Sequence, residues 1–595
     1  MKAKIYILLL IISVSLFSCK TDPYLSAVYT DETMWNYPDM VEGLVGKAYD
    51  YMSRNYDNNE GAYLDCATDN AVLTSPTNPI AKLATGSLTT GQDPFNDFWS
   101  NDYKAIYSVN LFLKDRKGYN TRYLLQKAQS DQIRTRLQGE AFALRAWFQW
   151  DLLQKFGGKD LSGLIKGFPI VLEPLDINQK IDLERNSYDD CVKQILADCD
   201  SAYKYLPIAH RDFLVSGSIT YAGGKYWGRM DGITTRAIKA LVYLTWASPR
   251  FNPDGVTARW DSCAKYAKQV IDFKLNSDKN GTKGFVNSTN RVNWFDLNHE
   301  GIVYSSRGSA NDAMERMFYP GGFKGNGTMG ATQELVDAFG MKDGYPLGES
   351  PTYTFDPKNP YLNRDPRFYS VIFYNNLKID GGNPNKVGMY TFESWENGGK
   401  DAMNISSTNS KTNYYIRKFV SKTVNWSDAS INRQPHSKFF IRWAHMCLAF
   451  AESANHVGGP LNTKYGLSAK DAISYLRKRK TYDNANGLTV DPYLDKVALL
   501  GENAFDALVK NERRIETCFE GTWFFDLRRW STNLNELNKA VHGVKIIKND
   551  DNTFSYDFNY EVQKRQFNSA YLPIPYADIL RMSKLTQNEG WDNWK

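Results

Sequence analysis

The sequence lacks the patterns that several classes of protein require. Its 595 residues contain seven cysteines without C-x-x-C spacing and six scattered histidines, which argues against the usual zinc sites. No loop has the ligand spacing of a standard calcium motif. A structural calcium ion bound by loop carboxylates therefore remains an alternative that no motif supports. The formal net charge is only +6 and no basic run occurs, so nucleic acid is not an expected partner. Beyond residue 17 no apolar run is long enough to span a membrane.

The N-terminus has the features of an export signal. Two lysines precede an apolar run over residues 5–17, which has the length of a signal-peptide core. The run leads into Leu16-Phe17-Ser18-Cys19, which resembles the lipobox of bacterial lipoproteins, although alanine or serine is commoner where Phe17 stands. We therefore predict a signal peptide over residues 1–18, acyl chains on Cys19 and a polar tether over residues 19–35. The alternative is an ordinary cleavage site beside a chance cysteine.

The remaining cysteines are interpreted as small apolar residues of the core: Cys66, Cys191, Cys199, Cys263, Cys447 and Cys518. Cys191 and Cys199 lie on one predicted helix, and their spacing corresponds to about 12 Å along its axis. Because that distance exceeds the reach of a disulfide, we expect both thiols to be free.

Helical periodicity dominates both ends of the chain. Apolar residues recur at three- and four-residue spacing in predicted helices over 101–114, 131–156, 187–205, 234–247 and 258–273. These helices come in pairs, which suggests degenerate helix-turn-helix repeats of the tetratricopeptide type. Helices return over 438–456, 468–479 and 504–519, with a helix beginning near Tyr576. Residues 275–434 are rich in Gly, Asn, Ser, Thr and Pro with isolated aromatics, which predicts an irregular functional segment containing a short helix (331–339) and a strand (368–374).

Several motifs occur in the order found in one known family. They include the glycine-terminated helix at residues 139–158, the element Arg364-Asp365-Pro366-Arg367-Phe368 and the pair Ala451-Glu452. They continue with NERRIETCFEGTWFFDLRRW at residues 511–530, Pro573-Ile574-Pro575 and residues 587–591. With the lipobox, this order resembles the SusD/RagB family of outer-membrane nutrient-binding lipoproteins over nearly the whole chain.

The resemblance implies a fold and a cellular role. The implied fold is mainly α, a tetratricopeptide-like scaffold of helical pairs with a large irregular, loop-rich lobe that carries short strands. We divide the chain into an N-terminal helical region (36–274), an irregular ligand-binding lobe (275–434) and a C-terminal helical region (435–595). The family is lipid-anchored on the outer face of the Gram-negative outer membrane, and Lys20 after Cys19 resembles the signal for that membrane. Its members bind oligosaccharides, glycan chains or sometimes peptides, and they form the lid of a SusC-like TonB-dependent transporter. They have no catalytic activity.

Residues 511–530 allow two interpretations. Three glutamates at four-residue spacing could form a general acid and base, or they could pair with the neighbouring arginines. Carboxylates spaced along one helix rarely converge on one atom, and nearby cations lower their pKa values. We therefore predict a structural ion-pair network of Glu512, Arg513, Glu516, Glu520, Asp526 and Arg528.

Ligand contacts are predicted from residue type and position. Aromatic faces pack against the C–H groups of sugar rings, and Asp, Asn and Arg bind hydroxyl groups. In the family that the sequence resembles, the ligand site draws on loops near the first helices and on the irregular lobe. The candidates at these positions are Asp69, Asn70, Trp99, Arg307, Tyr319, Phe323 and Trp395. Each of them could instead belong to the core. The string Gly325-Asn326-Gly327-Thr328-Met329-Gly330 spells G-x-G-x-x-G, but no predicted strand precedes it, so we expect a loop and no dinucleotide cofactor.

Two other classes of protein remain as alternatives. A glycoside hydrolase or lyase would need converging carboxylates, or a base with a cation, and no sequence signature supplies them. A tetratricopeptide adaptor that binds only protein would leave the aromatic irregular lobe unexplained. The sequence identifies neither the glycan and its linkage nor the choice between glycan and peptide.

Overall fold

The computed structural model describes residues 31–57, 62–176, 178–210, 223–276, 294, 301–306, 308–379, 390–424, 432–480, 487–488 and 490–594. The predicted signal peptide, Cys19, the tether up to residue 30 and the candidate Arg307 lie outside these residues.

The N-terminal region is built from helices, as the periodicity predicts. In chain order they are α1 Asp31–Met34, α2 Pro38–Asp57, α3 Ala62–Asp65, α4 Pro79–Ala84, α5 Asn96–Leu113, α6 Lys117–Asn120, α7 Lys127–Phe156, α8 Tyr188–Tyr205, α9 Gly232–Ala247 and α10 Thr257–Asn276. The long helices pack in sequence, α5 on α7, α7 on α8 and α9 on α10. Local signals fix their ends, since Ser187 Oγ accepts a hydrogen bond from the Asp190 N–H and Gly157 terminates α7.

The middle of the chain consists of short elements: helices α11 Ala313–Phe318, α12 Gln333–Ala338 and α13 Pro366–Val371, and strands Ile302–Ser306, Ala310–Asn311, Met329–Ala331, Ile372–Phe373, Lys378–Ile379, Tyr390–Thr391 and Tyr415–Ile416. The strand predicted over residues 368–374 is wrong for most of its length. Pro366 begins α13 and Asp365 caps it, so only Ile372–Phe373 is extended. Proline is favoured in the first helical turn because the N–H that it lacks has no helical partner there.

The C-terminal region returns to helices: α14 Trp443–Gly458, α15 Ala469–Arg477, α16 Pro492–Leu499, α17 Glu502–Thr517, α18 Thr522–Trp530 and α19 Tyr576–Arg581. The helix predicted from residue 438 begins five residues later. Lys438–Arg442 is instead a strand that pairs with Ile302–Ser306. The apolar run KFFI has no decisive period, and a partner strand from the middle of the chain supplies its backbone hydrogen bonds.

The C-terminal region also contains a long antiparallel hairpin that was not predicted from the sequence. Ala540–Lys548 pairs with Phe554–Lys564 along its length, with register shifts at two places. Its second strand alternates aromatic and polar residues (FSYDFNYE), which is the period of a strand with one packed face. The hairpin joins the irregular lobe, because Glu396 N–H donates to Ile546 O and Val544 N–H donates to Thr412 O.

The three regions predicted from the sequence share one hydrophobic core. Buried side chains run continuously from the N-terminal helices through the middle segment to the C-terminal helices. Strand pairs also cross the predicted boundaries, since Ala71–Leu73 pairs with Met329–Ala331. Three shorter strands complete the set: Gly158–Lys159, Ile165–Lys166 and Gln434–Pro435. All six cysteines within the described residues are buried and free, which confirms their interpretation as core residues.

Candidate functional site

Residues 511–530, the densest mix of charge and aromatics, lie in the interior of the protein. Helix α17 ends at Thr517, and Phe519 follows with a left-handed φ of 64°. Glu520 therefore lies beyond the helix, which corrects the expectation that three glutamates share one helical side. Each of the three glutamate side chains is at most 7% exposed.

Distant arginines neutralise the first two glutamates. Arg367 of the Arg364–Phe368 element contacts Glu512 with both terminal nitrogens, one of them at 3.2 Å. Arg479 Nη2 lies 2.9 Å from Glu516 Oε1. The adjacent arginines at 513 and 514 thus do not supply these pairs. The network joins α17 to α13 and to the end of α15.

Glu520 is held by two cations, one from a strand and one from a loop, and by a histidine of a helix. Arg442 Nη2 lies 2.6 Å and Lys418 Nζ 2.5 Å from Glu520 Oε1, and His445 Nε2 lies 3.2 Å from Oε2. Burial alone would raise the pKa of Glu520, but Arg442 and Lys418 outweigh it and hold that pKa well below its ordinary value. Burial lowers the pKa of His445, so its ring is neutral at neutral pH.

A second group of charges joins α14, α17 and α18. Arg513 donates to both oxygens of Asp526, at 3.0 and 2.8 Å. Arg529 donates to Asp526 at 2.8 Å and to both oxygens of Glu452 at 2.6 Å. Glu452 is completely buried, which would raise its pKa, yet Arg529 and Arg513 bring that pKa to about 2. Ion pairs thus bind together the helices that carry the family motifs.

Arg528 does not belong to this network, which corrects its assignment. Its guanidinium carbon lies 3.5 Å from the ring centroid of Phe524 and 4.7 Å from that of Phe567. Its Nη1 donates to the Phe524 carbonyl at 3.1 Å, and no carboxylate pairs with it among the described residues. Residues 526 and 529 share one face of α18, whereas residue 528 faces another direction.

The arrangement supports a structural role for residues 511–530. A general acid needs a pKa near the working pH, whereas Glu452 and Glu520 have lowered pKa values. Both are buried behind paired guanidinium groups and stay ionised. Their role is therefore that of buried ion pairs that join helices, and not that of a catalytic pair.

Asp69 and Asn70, two ligand candidates, are engaged by the C-terminal region. Asn70 is fully buried, donates to Asp65 Oδ2 at 3.0 Å and accepts from Arg514 Nε at 2.8 Å. The Asp69 side chain is one-third exposed, but it accepts from Trp523 Nε1 at 2.7 Å and pairs with Arg514 at 3.0 Å. Both side chains tie the strand Ala71–Leu73 to α17, so their polar atoms are already occupied.

Three aromatic candidates lie in the core, which corrects their selection as ligand platforms. Trp99 is 4% exposed and has Phe156 and Tyr103 rings at 5.0 Å. Tyr319 and Phe323 are 1% and 0% exposed, with their ring centroids 4.2 Å apart. Neighbouring protein therefore covers their rings, and they offer no surface to a sugar.

The G-x-G-x-x-G string is a loop that enters a strand. Its last two residues begin the strand Met329–Ala331, which pairs with Ala71–Leu73, so the order of strand, turn and helix that a dinucleotide site needs is absent here. Gly330 is packed so closely that a Cβ there would lie 1.8 Å from Ser410 Oγ. The glycine serves close packing between the strand and the lobe.

Trp395 is the aromatic candidate that the structure leaves partly exposed, and it begins a row of rings. Its centroid lies 5.4 Å from that of Phe554, followed by Tyr556 at 6.4 Å and Phe558 at a further 5.8 Å. The rings of Tyr556 and Phe558 are almost parallel, with an interplanar angle of 3°. We call Trp395, Phe554, Tyr556 and Phe558 the aromatic stripe. All four side chains are partly exposed.

The hairpin determines the position of this stripe. Alternate residues of a strand point to one face, so Phe554, Tyr556 and Phe558 line up about 7 Å apart along the chain. Asn397 exchanges two hydrogen bonds with the backbone of Lys548, on the first strand of the hairpin, at 2.9 and 3.0 Å, and so holds the segment of Trp395 against the hairpin. Lys548 Nζ lies 5.1 Å from the Trp395 ring centroid. Flat apolar faces therefore lie beside a cation.

Of the four stripe residues, only Trp395 was predicted from the sequence. The signal was available in the alternation of Phe554, Tyr556 and Phe558 with Ser555 and Asp557. Only the tertiary structure, however, brings Trp395 beside a strand that begins 159 positions later in the chain.

None of the described helices combines the length and apolarity needed to cross a bilayer. Within the described ranges, no three His, Cys, Asp or Glu side chains gather as a metal ion would require.

The structure is a mainly α-helical scaffold of the tetratricopeptide type, with a loop-rich lobe that carries an aromatic surface. The family described as "SusD family" matches residues 287–591, and one described as "Starch-binding associating with outer membrane" matches residues 24–220. Because the first match covers half of the chain, the protein belongs to the SusD family.

Individual relatives are distant but cover most of the chain. A SusD-like protein P38 of Formosa agariphila is 22% identical over 533 residues, 86% of each chain. A SusD-like protein of Bacteroides fragilis has a TM-score of 0.68 at 21% identity, covering 94% of this chain and 98% of its own. A SusD-like carbohydrate-binding protein of B. fragilis has a TM-score of 0.67 at 18% identity, covering 93% and 99%.

Proposed function

We propose that the protein captures glycan chains on the aromatic stripe. The observation that carries the proposal is the row of partly exposed rings from Trp395 to Phe558, with neighbouring centroids 5.4–6.4 Å apart. Sugar rings present C–H faces that pack on aromatic rings, and a row of rings suits consecutive residues of one chain. The starch-binding description of the family that matches residues 24–220 and the carbohydrate-binding relative of B. fragilis support this ligand class.

The proposal includes the cellular setting predicted from the sequence. An acylated Cys19 would hold the protein on the outer membrane, facing the exterior, where it forms the lid of a SusC-like TonB-dependent transporter. The outer-membrane description of the matching family supports this setting. Affinity purification of the protein from detergent-solubilised outer membranes tests the partnership. We expect a barrel transporter to co-purify with it, and purification of the protein without any transporter would contradict the partnership.

Calorimetric titration of the protein with a panel of oligosaccharides and peptides tests the ligand class. We expect at least one oligosaccharide to bind, and Trp395→Ala to weaken its affinity about tenfold, since one stacked ring contributes about 1 kcal/mol or more. Trp35→Ala is the matched control, because Trp35 is also partly exposed but lies in the N-terminal region beside Lys117.

Each other outcome has a distinct meaning. Binding of peptides alone would favour the peptide alternative, and release of shortened products would indicate a hydrolase or lyase. If no ligand of either kind binds, or if Trp395→Ala binds a glycan as tightly as the wild type, the stripe is not the capture site.

A further inference from the structure

A cavity lies apart from the aromatic stripe, between helices of the scaffold. It is an open pocket lined by α7, α9, the strand Lys438–Arg442, the turn from α17 into α18 and α18 itself, and its volume is about 130 Å³. We call it the interhelical pocket. A cavity of about 150 Å³ is known to hold a benzene molecule, so this open pocket can receive one face of a six-membered ring whose substituents extend through its mouth.

Aromatic side chains form the walls of the pocket. Trp147 and Trp150 share one face of α7, and Phe440 and Phe525 line the pocket from other elements. The Trp147 and Phe440 centroids are 5.4 Å apart at an interplanar angle of 77°, so the two rings meet at a corner. Trp147, Phe440 and Phe525 are partly exposed, whereas Trp150 is buried. A ring entering here would meet flat apolar surfaces on several sides.

One residue of the pocket lining also carries a buried hydrogen-bond donor without a partner. Arg513 lines the pocket, and the Nε and Nη2 groups of that side chain bind Asp526. The Nη1 group is buried and has no acceptor within the described part of the chain. A buried donor left unsatisfied costs about 1–3 kcal/mol or more, so an acceptor oxygen at this place would be stabilising.

The charged groups of the lining are already paired. Asp151 pairs with Lys155, Glu520 with Arg442, and Asp526 with Arg513. The lining therefore offers no uncompensated charge to a charged occupant. Gln154 and Thr522, both partly exposed, add uncharged polar groups. The combination suits a neutral ring with an apolar face and hydroxyl oxygens.

We propose that the interhelical pocket binds a single neutral, polyhydroxylated six-membered ring, separately from the aromatic stripe. The inference does not depend on glycan capture at the stripe, since the two sites share no residue.

Saturation-transfer NMR on the full chain tests this site with three probes: methyl α-glucopyranoside, myo-inositol and glucuronate. We expect at least one of the two neutral probes to bind saturably and glucuronate to bind at least tenfold more weakly. Leu241→Trp places a large ring in the pocket and is expected to raise the dissociation constant at least tenfold. Gln154→Trp is a second blocking variant in case the first does not fold, as judged by its melting temperature.

Two controls separate the pocket from other effects. Leu161→Trp makes the same change at a side chain that is 39% exposed and lies outside the pocket, so it should leave probe binding unchanged. Trp35→Ala should also leave it unchanged, because Trp35 is a partly exposed ring that lies outside both the pocket and the stripe. The proposal is overturned if neither neutral probe binds, if glucuronate binds as tightly, or if a folded blocking variant retains the wild-type dissociation constant.

Discussion

Removing Arg513 should destabilise the protein before it affects glycan capture at the stripe. The side chain is 6% exposed, donates two hydrogen bonds to Asp526 and lies 3.8 Å from Glu452. Breaking a buried ion pair by removing one partner costs about 3–5 kcal/mol, because the other charge is left without compensation. Asp526 keeps a bond from Arg529 at 2.8 Å, so we expect Arg513→Ala to cost about 3 kcal/mol.

Two further variants calibrate that magnitude. Arg529→Ala removes both short bonds to Glu452 as well as the bond to Asp526, so it should fall near the upper end, about 5 kcal/mol. Arg54→Ala breaks a surface pair with Asp50 whose side chains are about half exposed, and it should cost less than about 1 kcal/mol. The predicted order of destabilisation is therefore Arg529, Arg513, Arg54.

Urea unfolding followed by circular dichroism, together with thermal melting, measures these differences. Oligosaccharide affinity is then determined for each variant under conditions where it is folded. A variant at Arg513 that melts like the wild type but loses glycan binding would refute the structural interpretation of residues 511–530. Equal destabilisation by Arg54→Ala and Arg529→Ala would show that burial is not the source of the effect.

Two other predictions concern a buried acid and a packed glycine. Burial raises the pKa of Asp65 from 3.8 to about 7, so the folded protein holds this proton more tightly, and the contribution of Asp65 to stability falls as pH rises from about 4 to 7. In Asp65→Asn, the free energy of unfolding should lose up to about 4 kcal/mol less than that of the wild type over this pH range. Urea unfolding measures it, and equal pH dependence of the two proteins would contradict the prediction. Gly330→Ala should destabilise by about 1–3 kcal/mol because its Cβ would meet Ser410 Oγ at 1.8 Å. Gly46→Ala, with open space around its Cβ, should be neutral or stabilising. If the Gly330→Ala and Gly46→Ala variants melt at the same temperature, the packing argument is refuted.

The sequence alone determined the elements whose signals are local. The helix from Lys127 to Phe156 follows from its apolar period and its glycine stop, and Ser187 marks the start of the next. The order of short motifs also placed the chain in its family. These features could be predicted because propensity, capping and periodicity act within a few residues of one another.

Strands with distant partners could not be predicted in the same way. Lys438–Arg442 is extended because Ile302–Ser306 lies beside it, more than 130 positions earlier in the chain. The burial of Trp99, Tyr319 and Phe323 likewise depends on which elements cover them. Residue type shows that a ring can bind a sugar, but the tertiary contacts decide whether its face is free.

The difference between what the sequence indicates and what the tertiary structure decides is largest for the buried charges and for the aromatic stripe. The sequence showed that Glu512, Glu516 and Glu520 need cations, and the structure supplied Arg367, Arg479 and Arg442 from elsewhere in the chain. It also showed Trp395 as a candidate, and the fold completed the surface with rings from a hairpin more than 150 positions away. The sequence by itself therefore determined the family, the helices and the kinds of residues used. Only the tertiary structure decided their partners and exposure, because both depend on contacts between segments far apart in the chain.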